Sequence, residues 1–335
     1  MREDGYVLLP QPIQEEAVRV LRECDVDVIT AQDARTETVA PLMENAMAVI
    51  LRTGIQMTAE LINKAKNLLT ISRTGAGIDN IDINAATQKG IIVTSSLGVN
   101  TSSVAEHCIA LILCLFKRFF LLDRELRKGN FNIRYKNFPR DLEGKTIGII
   151  GFGRIGVQVA DKCNRLFGMK VVAYDPYLDE ETREHSRQWV EFVGLEKIFE
   201  RSDVISVHIP LTDTTRGLIN MELFRLMKPD AYIVNASRGG VVNEKELVEA
   251  LNEGLCAGAG LDVFEAEPVD RNNPLLRMEN VILTPHTAAL TAECVVKMAV
   301  SAANRVIDVI HGVKPSNIAN PELLDTDRWK HLKER

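Results

Sequence analysis

The chain has 335 residues, of which 46% are hydrophobic and 26% are charged, as in an ordinary soluble globular protein. At about 150 residues per domain, this length predicts two domains. The 40 basic and 46 acidic residues give a net charge of −6, which argues against a protein that binds the phosphate backbone of nucleic acids.

The six cysteines form no CxxC pair, and most of them stand in apolar stretches. This favours buried thiols in a reducing compartment over a zinc site or a disulfide framework, so we expect no metal centre. The longest apolar run, Cys108 to Phe116, is too short to span a bilayer. The acidic start Met1-Arg2-Glu3-Asp4 is unlike a signal peptide. We therefore expect a cytoplasmic protein with neither membrane nor nucleic-acid partners.

The first hundred residues alternate short runs of Val, Ile and Leu with amphipathic stretches. This pattern predicts a parallel sheet covered by helices on both faces. Strands are predicted at Tyr6–Leu9, Val26–Thr30, Ala46–Arg52, Leu68–Ser72 and Ile91–Ser95. Helices are predicted between them, for example at Ile13–Glu23 and Ala59–Ala65.

A long helix is predicted over Ser102–Lys128, where Ser103 and Glu106 have the spacing of a capping box. Its middle is too apolar to face water on all sides. The sequence leaves two interpretations open: a core helix, or a helix shared between domains or subunits.

From Lys145 the alternation resumes, which predicts a second doubly wound unit of the size of a dinucleotide-binding domain. Strands are predicted at Thr146–Ile150, Lys170–Tyr174, Val204–His208, Ala231–Asn235, Ala257–Val263 and Val281–Leu283. A last helix is predicted at Ala292–His311, followed by a polar tail.

A G-x-G-x-x-G motif is formed by Gly151, Gly153 and Gly156, directly after a predicted strand and at the start of a helical pattern. The first glycine permits a tight turn, the second lets the backbone approach a pyrophosphate, and the third lets the helix pack on the sheet. Asp175 ends the next strand, about 20 residues further on, where an acid binds the ribose 2′-hydroxyl. Because a carboxylate repels a 2′-phosphate, the motif predicts NAD and not NADP.

Further motifs follow in order: Asn235–Gly240 (NASRGG), Gly260–Pro268 (GLDVFEAEP) and Thr284-Pro285-His286. Together with the glycine motif they resemble the NAD-dependent D-2-hydroxyacid dehydrogenases. Arg73–Asp82 and Asn100–Glu106 are most similar to the D-3-phosphoglycerate dehydrogenase branch of that family. The resemblance extends from about Val7 to Pro321.

This resemblance implies an α/β protein with two Rossmann-like doubly wound domains. One is a flavodoxin-like substrate domain, discontinuous over residues 1–100 and 290–335, and the other is an NAD-binding domain over residues 101–289. It also implies a homodimer formed through the NAD-binding domain, and the apolar helix after Ser102 is consistent with such a partner surface.

By the same resemblance, Arg238, Glu267 and His286 are the catalytic residues. Oxidation of a 2-hydroxy acid needs a cation for the carboxylate, a base for the hydroxyl proton and a hydride acceptor at C2. The planar guanidinium of Arg238 suits the first role and the imidazole of His286 the second. Glu267 can hydrogen-bond the other ring nitrogen and favour the charged ring, which is the acid in the reductive direction.

The resemblance also assigns binding residues. The cofactor contacts are the three motif glycines with Arg154, Ile155, Asp175, His208, Pro210, Thr215, Ala236 and Asp262. The substrate contacts are Arg52, Arg73, Gly75, Ala76, Gly77 and Asn100, with the glycine segment offering backbone N–H groups to a carboxylate.

Some features depart from the phosphoglycerate dehydrogenase pattern. Thr287-Ala288-Ala289 follows His286 where that branch more often has a small apolar and glycine run, and Ala76 stands where some members carry a hydroxyl. No appended regulatory domain is expected. The substrate stays open among phosphoglycerate, hydroxypyruvate or glycerate, and glyoxylate. Two rival interpretations are an NADH-sensing corepressor-like protein and a dehydrogenase of formate or phosphite.

Overall fold

The computed structural model describes residues 5–334. Two parts of the chain lie outside the described residues: Met1 to Asp4, and Arg335. The prediction that the acidic N-terminal residues are unlike a signal peptide falls on the first of them. Strands are β1 (Tyr6–Leu9), β2 (Val28–Thr30), β3 (Ala46–Leu51), β4 (Thr70–Arg73), β5 (Ile92–Ser95), β6 (Thr146–Ile150), β7 (Lys170–Tyr174), β8 (Val190–Phe192), β9 (Val204–Val207), β10 (Tyr232–Asn235), β11 (Gly258–Leu261) and β12 (Val281–Leu283).

Helices connect these strands. They are α1 (Glu15–Glu23), α2 (Thr36–Met43), α3 (Ala59–Lys64), α4 (Ile83–Gln88), α5 (Thr101–Lys117), α6 (Phe119–Arg127), α7 (Arg154–Phe167), α8 (Glu180–Ser186), α9 (Leu195–Arg201), α10 (Met221–Phe224), α11 (Glu244–Asn252) and α12 (Ala292–Ile310). Short 3₁₀ helices lie at Phe131–Tyr135, Gly239–Val241, Pro274–Arg277 and Pro321–Asp325.

The chain divides into two compact units, one running to Asn100 and resuming at Leu290, the other Thr101–Ala289. Unit 1 contains a five-stranded sheet of order β2-β1-β3-β4-β5, and all of its strand pairs are parallel. This is the flavodoxin-like order. One face packs on α1 and on alanines of α12, where the small side chains allow close approach, and a second apolar cluster covers the other face.

Unit 2 contains a seven-stranded sheet of order β12-β11-β10-β9-β6-β7-β8. If β6 to β12 are renumbered 1 to 7, the order read from β8 is 3-2-1-4-5-6-7. This is the 3-2-1-4-5-6 order of a dinucleotide-binding fold, extended by one parallel strand. Large apolar clusters cover both faces. The predicted α/β class with two doubly wound sheets is therefore confirmed.

The predicted long helix over Ser102–Lys128 is wrong in one respect, because Arg118 takes a left-handed conformation (φ 51°) and separates α5 from α6. The two parts differ: α5 buries eight of its residues in the core, whereas α6 buries none. Glu106 accepts a hydrogen bond from Ser102 Oγ at 3.0 Å, and Ser103, the expected cap, lies inside the helix.

Two further expectations need correction. The edge strand β8 has only three residues, too few for a recognisable period, and it was not predicted. The predicted polar tail is partly packed: Trp329 is 4% exposed and its Nε1 donates to the Gly90 carbonyl at 2.7 Å. Isolated apolar residues in a polar stretch give no periodic signal.

Candidate active site

The predicted cofactor and catalytic residues of unit 2 lie after the carboxyl ends of its parallel strands. Gly151 follows β6, Asp175 follows β7, His208 follows β9, Asp262 follows β11, and His286 stands three residues after β12. Because the strands are parallel, these ends share one edge of the sheet, where open α/β sheets bind their ligands.

Packing within the protein explains two of the three motif glycines and leaves the third unexplained. Gly151 has φ 92°, and a Cβ there would stand 2.7 Å from the His208 carbonyl oxygen. A Cβ on Gly156 would stand 2.1 Å from the Gly151 carbonyl oxygen, so this glycine lets α7 pack closely on the strand. Gly153 is the N-cap of α7 at φ −81°, and a Cβ there would meet no atom within 4 Å. Protein packing therefore does not explain Gly153.

The Asp175 carboxylate is fixed by the backbone around the glycine motif. Its Oδ2 accepts from the Phe152 amide and its Oδ1 from the Tyr177 amide, both at 2.9 Å. A carboxylate has about four acceptor positions, so each oxygen keeps capacity for a further donor. The group is thus oriented beside the start of α7.

His208 and Thr215 have partners inside their own segment. Burial lowers the pKa of His208 to about 3, so its ring is neutral, and Nε2 lies 2.9 Å from the Ser206 hydroxyl. Thr215 Oγ1 donates to the Pro210 carbonyl at 2.7 Å, which closes the loop after β9. These contacts give both residues a structural role, and their predicted cofactor contacts stay predictions.

Glu267 and His286 form a direct pair. Glu267 Oε2 lies 2.7 Å from His286 Nδ1, and Oε1 accepts from the Phe264 amide at 3.1 Å. Partial burial raises the pKa of Glu267, but the hydrogen bonds from His286 and Phe264, with the charges of His286 and Arg238, outweigh it. The net pKa lies below its usual value. Because the carboxylate engages Nδ1, Nε2 is the ring nitrogen left for proton exchange.

Arg238 lies in a loop that Asn235 shapes. Asn235 is 1% exposed; its Oδ1 accepts from the amide and the hydroxyl of Ser237, and its Nδ2 donates to the Arg238 carbonyl at 2.8 Å. A Cβ on Gly239 would stand 2.0 Å from the Phe264 carbonyl carbon. Gly239 therefore lets the Arg238 loop lie against the loop that leads to Glu267.

Asp262 organises the loop that carries His286. Its side chain is 1% exposed, with Oδ1 accepting from the Thr284 hydroxyl at 2.6 Å and the Thr287 amide at 2.8 Å. Oδ2 accepts from the Ala288 amide at 2.9 Å. The Asp262 carbonyl also accepts from the His286 amide at 2.8 Å. His286 itself has φ 53°, an unusual conformation for a residue with a Cβ.

Sequence reasoning missed Asn235 and Thr284 as residues that orient the site. Both stand inside quoted motifs, but a motif does not say which atoms a short polar side chain will bind. A buried asparagine at the last position of a strand is the available signal, because such residues bond the backbone just beyond them.

The predicted substrate residues of unit 1 follow β3 and β4. Arg52 Nη1 donates to the Pro12 carbonyl at 3.1 Å, and Arg73 Nε lies 3.4 Å from Asn80 Oδ1. Asn80, which is 8% exposed, donates to the carbonyls of Arg52 and Ile55 at 3.0 and 2.9 Å. Asn80, another residue that sequence reasoning missed, thus connects the two arginine loops.

The glycine segment after β4 lies against the Arg73 side chain, and its predicted N–H contacts with a carboxylate stay a prediction. A Cβ on Gly75 would stand 1.8 Å from Arg73 Nη1, so the guanidinium lies directly over this glycine. Neither Gly75 nor Gly77 has a positive φ, and the Gly75 carbonyl accepts from the Ser96 amide at 3.0 Å. Ala76 is partly exposed, and Asn100 is the last residue of unit 1 before the chain enters α5.

Within residues 5–334, no group of three His, Cys, Asp or Glu side chains is placed to hold a metal ion. Over the same residues, no helix combines the length and the apolar character that crossing a membrane requires.

The sequence is similar to known dehydrogenases. A family model described as D-isomer specific 2-hydroxyacid dehydrogenase, NAD binding domain, matches residues 109–288. The chain is 41% identical to a D-3-phosphoglycerate dehydrogenase from Archaeoglobus fulgidus over 94% of its own length, and it spans only 59% of that relative. It is 38% identical to a glyoxylate reductase from Thermofilum pendens, with 95% of each chain covered.

The fold is likewise similar to solved structures. The crystal structure of D-lactate dehydrogenase from Aquifex aeolicus, complexed with NAD and lactic acid, superposes with a TM-score of 0.81 at 31% identity. The match covers 94% of this chain and 99% of the other.

Proposed function

The chain belongs to the family of D-isomer-specific 2-hydroxyacid dehydrogenases, and from this premise we propose that it transfers hydride between NAD(H) and C2 of a D-2-hydroxy acid or its 2-oxo acid. The proposed pair is D-3-phosphoglycerate and phosphohydroxypyruvate. The observation that carries the proposal is the 2.7 Å pair of Glu267 and His286 beside the charge of Arg238.

Residues 109–288 match the NAD-binding domain of this family, and the residues present fit the dinucleotide. The open space over Gly153 lies at the first turn of α7, whose free N–H groups and positive dipole end suit a pyrophosphate. Asp175 is oriented beside it with acceptor capacity for ribose hydroxyls. We propose that these groups, with Arg154 and Ile155, hold NAD.

A glycine comparison tests this cofactor site. Gly153→Ala adds a methyl group where no protein atom lies within 4 Å, so the variant should fold normally and bind NADH at least tenfold more weakly, an effect of about 1.4 kcal/mol or more. Gly194→Ala is the matched control, because Gly194 also caps a helix and also has room for a Cβ. Calorimetric titration showing equal NADH affinity for both variants would contradict the proposed pyrophosphate position.

The chain's own residues would perform the remaining chemistry. Bound NAD supplies the hydride acceptor, and NADH the donor. During oxidation, His286 Nε2 takes the hydroxyl proton while Glu267 fixes the ring and stabilises its positive charge. During reduction, the charged ring returns that proton to the 2-oxygen. Arg238 binds the carboxylate and polarises the 2-oxygen through its planar fork.

We propose that Arg52 and Arg73 bind the anionic groups of the substrate. Both follow strand ends of a parallel sheet, and both side chains are only partly buried. Arg52 Nη1 donates to the neutral carbonyl of Pro12, which leaves the charge of Arg52 uncompensated at that contact. Two cations suit a substrate with a phosphate as well as a carboxylate.

A panel of oxo acids tests the substrate. NADH oxidation would be measured with phosphohydroxypyruvate, hydroxypyruvate, glyoxylate, pyruvate and 2-oxoglutarate. Preference for phosphohydroxypyruvate supports the proposal and assigns Arg52 or Arg73 to the phosphate. Binding of NADH without turnover of any acid would overturn it and favour a sensing protein.

One observation favours a second candidate, a glyoxylate or hydroxypyruvate reductase. The glyoxylate reductase of Thermofilum pendens matches along nearly the whole of both chains. In that case the highest kcat/KM in the same panel belongs to an unphosphorylated acid, and Arg52 or Arg73 serves the carboxylate.

We also propose a homodimer formed through the NAD-binding unit. The 20 residues from the start of α6 to Phe138, just after the 3₁₀ helix at Phe131–Tyr135, carry six large apolar side chains that are more than half exposed. They are Phe119, Phe120, Leu126, Phe131, Tyr135 and Phe138. So many exposed apolar groups in 20 residues favour a protein interface. A second copy of the chain is the proposed partner, as a self-complementary interface is the commonest kind.

Light scattering tests the dimer. The wild-type protein should have twice the chain mass, and Phe120→Glu with Phe138→Glu should have the mass of one chain. Leu166→Glu is the control, because Leu166 is 71% exposed on α7, outside this segment. A monomeric wild type, or a dimer that survives the double substitution, would contradict the proposal.

We propose a cytoplasmic location. All six cysteines are free thiols, four of them buried, and burial raises the pKa of Cys163 to about 12, which makes it unreactive. Such thiols suit a reducing compartment.

A further inference from the structure

A histidine on the core helix α5 faces the edge that carries the site. His107 stands four residues before Leu111, so the two share one face of the helix. That face lies close on β11, since a Cβ on Gly260 would stand 3.2 Å from Leu111 Cβ. This packing brings His107 Nε2 to 3.0 Å from Thr284 Oγ1, at the end of β12.

The hydrogen-bond directions in this contact can be assigned. The Asp262 carboxylate accepts backbone amides from Thr287 and Ala288 on its two oxygens, and an ionised carboxylate is an acceptor only. Thr284 has one hydroxyl hydrogen, and its 2.6 Å contact with Asp262 Oδ1 uses it. Thr284 Oγ1 can then only accept from His107, so Nε2 of His107 carries a hydrogen in either charge state of the ring.

The contact therefore forms a directed chain from His107 through Thr284 to Asp262. His107 Nε2 lies 3.6 Å from Asp262 Oδ1, too far for a direct hydrogen bond, so Thr284 is the link. Asp262 in turn holds the amides of Thr287 and Ala288, and its carbonyl accepts from the amide of His286. The left-handed backbone of His286 is an uncommon conformation that neighbouring contacts must hold in place.

We propose that His107 is a positioning residue for the reaction proposed above: through Thr284 it fixes Asp262, and thereby the loop that presents His286. The side chain is 21% exposed, and the chain of contacts lies entirely within unit 2. This inference rests on the proposed function for its effect on turnover. Its effect on the order of the loop does not depend on that function.

The test compares His107→Phe, which removes the donor, with His107→Gln, which restores an N–H donor at similar reach. The Phe variant should lower kcat about ten- to a hundredfold, because a small misplacement of a proton donor is costly, with little change in KM. His107→Gln should recover most of the rate. Thr284→Val should resemble His107→Phe, and the double variant should be no worse than the poorer single one.

Hydrogen exchange of the segment 284–288 gives a measurement that needs no turnover. Its amides should exchange faster in His107→Phe and near the wild-type rate in His107→Gln. Thr70→Val is the control for the mere loss of a buried hydroxyl: Thr70 is 0% exposed, and its Oγ1 donates to the Ile92 carbonyl at 2.9 Å in unit 1. It should leave both kcat and the exchange of this segment unchanged.

The outcomes separate the two proposals. A wild-type enzyme that turns over an oxo acid, with an unchanged rate and unchanged exchange in His107→Phe, would overturn the inference alone. Additive losses in the double variant would also overturn it, since His107 would then act by another route. A wild-type protein without turnover would overturn the proposed function, and the exchange result would still decide whether His107 orders the loop.

Discussion

The carboxyl edges of the two sheets hold their charged side chains differently. In unit 2, Glu267 and His286 are 2.7 Å apart, and Asp262 binds the loop around His286 through contacts of 2.6 to 2.9 Å. In unit 1, Arg52 Nη1 lies 3.1 Å from the Pro12 carbonyl oxygen, and Arg73 Nε lies 3.4 Å from Asn80 Oδ1. The edge of unit 2 is tightly fixed by short contacts, and these two arginine contacts at the edge of unit 1 are longer.

This difference follows from what each edge is proposed to do. Proton transfer needs donor and acceptor within about 2.6 to 3.2 Å, so the pair that performs it must be held rigidly. Attraction between a guanidinium and an anion falls off slowly with distance, so an arginine can bind its anion without being fixed beforehand. Variants in unit 2 should therefore change kcat, and variants in unit 1 should change KM.

The largest expected effect is at Arg238. Arg238→Ala should lower kcat about a thousandfold, because it removes the cation that we propose stabilises charge on the 2-oxygen, and NADH should still bind. Steady-state kinetics and NADH titration measure the two effects separately. Arg225→Ala, at an exposed arginine of the same unit, is the control. A near wild-type rate in Arg238→Ala would remove Arg238 from the mechanism and weaken the contrast between the edges.

Glu267→Gln should have the next largest effect. The amide keeps an acceptor for the Phe264 amide but loses the charge that stabilises the His286 ring, so kcat should fall about a hundredfold. Glu265→Gln makes the same chemical change two residues away, where Glu265 Oε1 accepts from the Glu244 amide at 2.9 Å, and should retain activity. Equal rates for the two variants would contradict a role for the Glu267 charge.

The sheets and the order of the motifs were predictable because both depend on local patterns. Runs of Val and Ile between helical stretches define parallel strands, and β1, β6, β7 and β12 have the predicted bounds. Since parallel strands end at one edge, motifs that follow them lie near each other. The expected hydrogen bond between Glu267 and His286 is present for this reason.

The remainder depends on contacts that sequence spacing does not encode. Nothing in the pattern around Arg118 shows that its backbone turns left-handed, and the apolar run simply continues past it. Asn235 and Asn80 act through individual amide atoms buried under loops, and the choice of partner depends on the tertiary packing. The roles assigned to the site residues stay predictions until variants are measured.

Substitutions at the unit 1 edge should have a smaller and different effect. Arg73→Ala should raise KM for phosphohydroxypyruvate about tenfold, the cost of one charge-assisted hydrogen bond, with kcat close to wild type. Arg52→Ala should do likewise. Arg35→Ala is the control, since that side chain is 75% exposed and pairs with Asp33. A fall in kcat with constant KM would show that this edge is as tightly coupled to the chemistry as the edge of unit 2.

The smallest expected effect concerns stability in acid and arises in unit 2 alone. Because burial lowers the pKa of His208 from 6.5 to about 3, the unfolded chain binds a proton below pH 6.5 that the folded chain does not. Stability from the neutral ring is thus present above pH 6.5 and is lost as pH falls from 6.5 toward 3. The wild type should lose about 1 kcal/mol per pH unit in this window relative to His208→Gln.

The chain's two tryptophans allow this loss to be assigned to one unit, since Trp189 lies in unit 2 and Trp329 in unit 1. Urea unfolding would be measured in Trp329→Phe by the fluorescence of Trp189. The stability difference between this protein with His208 and the same protein carrying His208→Gln should depend on pH as described. In Trp189→Phe, the remaining Trp329 reports on the unfolding of unit 1. If the units unfold separately, the stability difference caused by His208→Gln should be smaller there. If, in Trp329→Phe, the stability of the protein with His208 and of the His208→Gln variant changed in parallel with pH, the ring would be charged in the folded protein in this window. The tightly fixed edge would then include a cation where a neutral ring is expected.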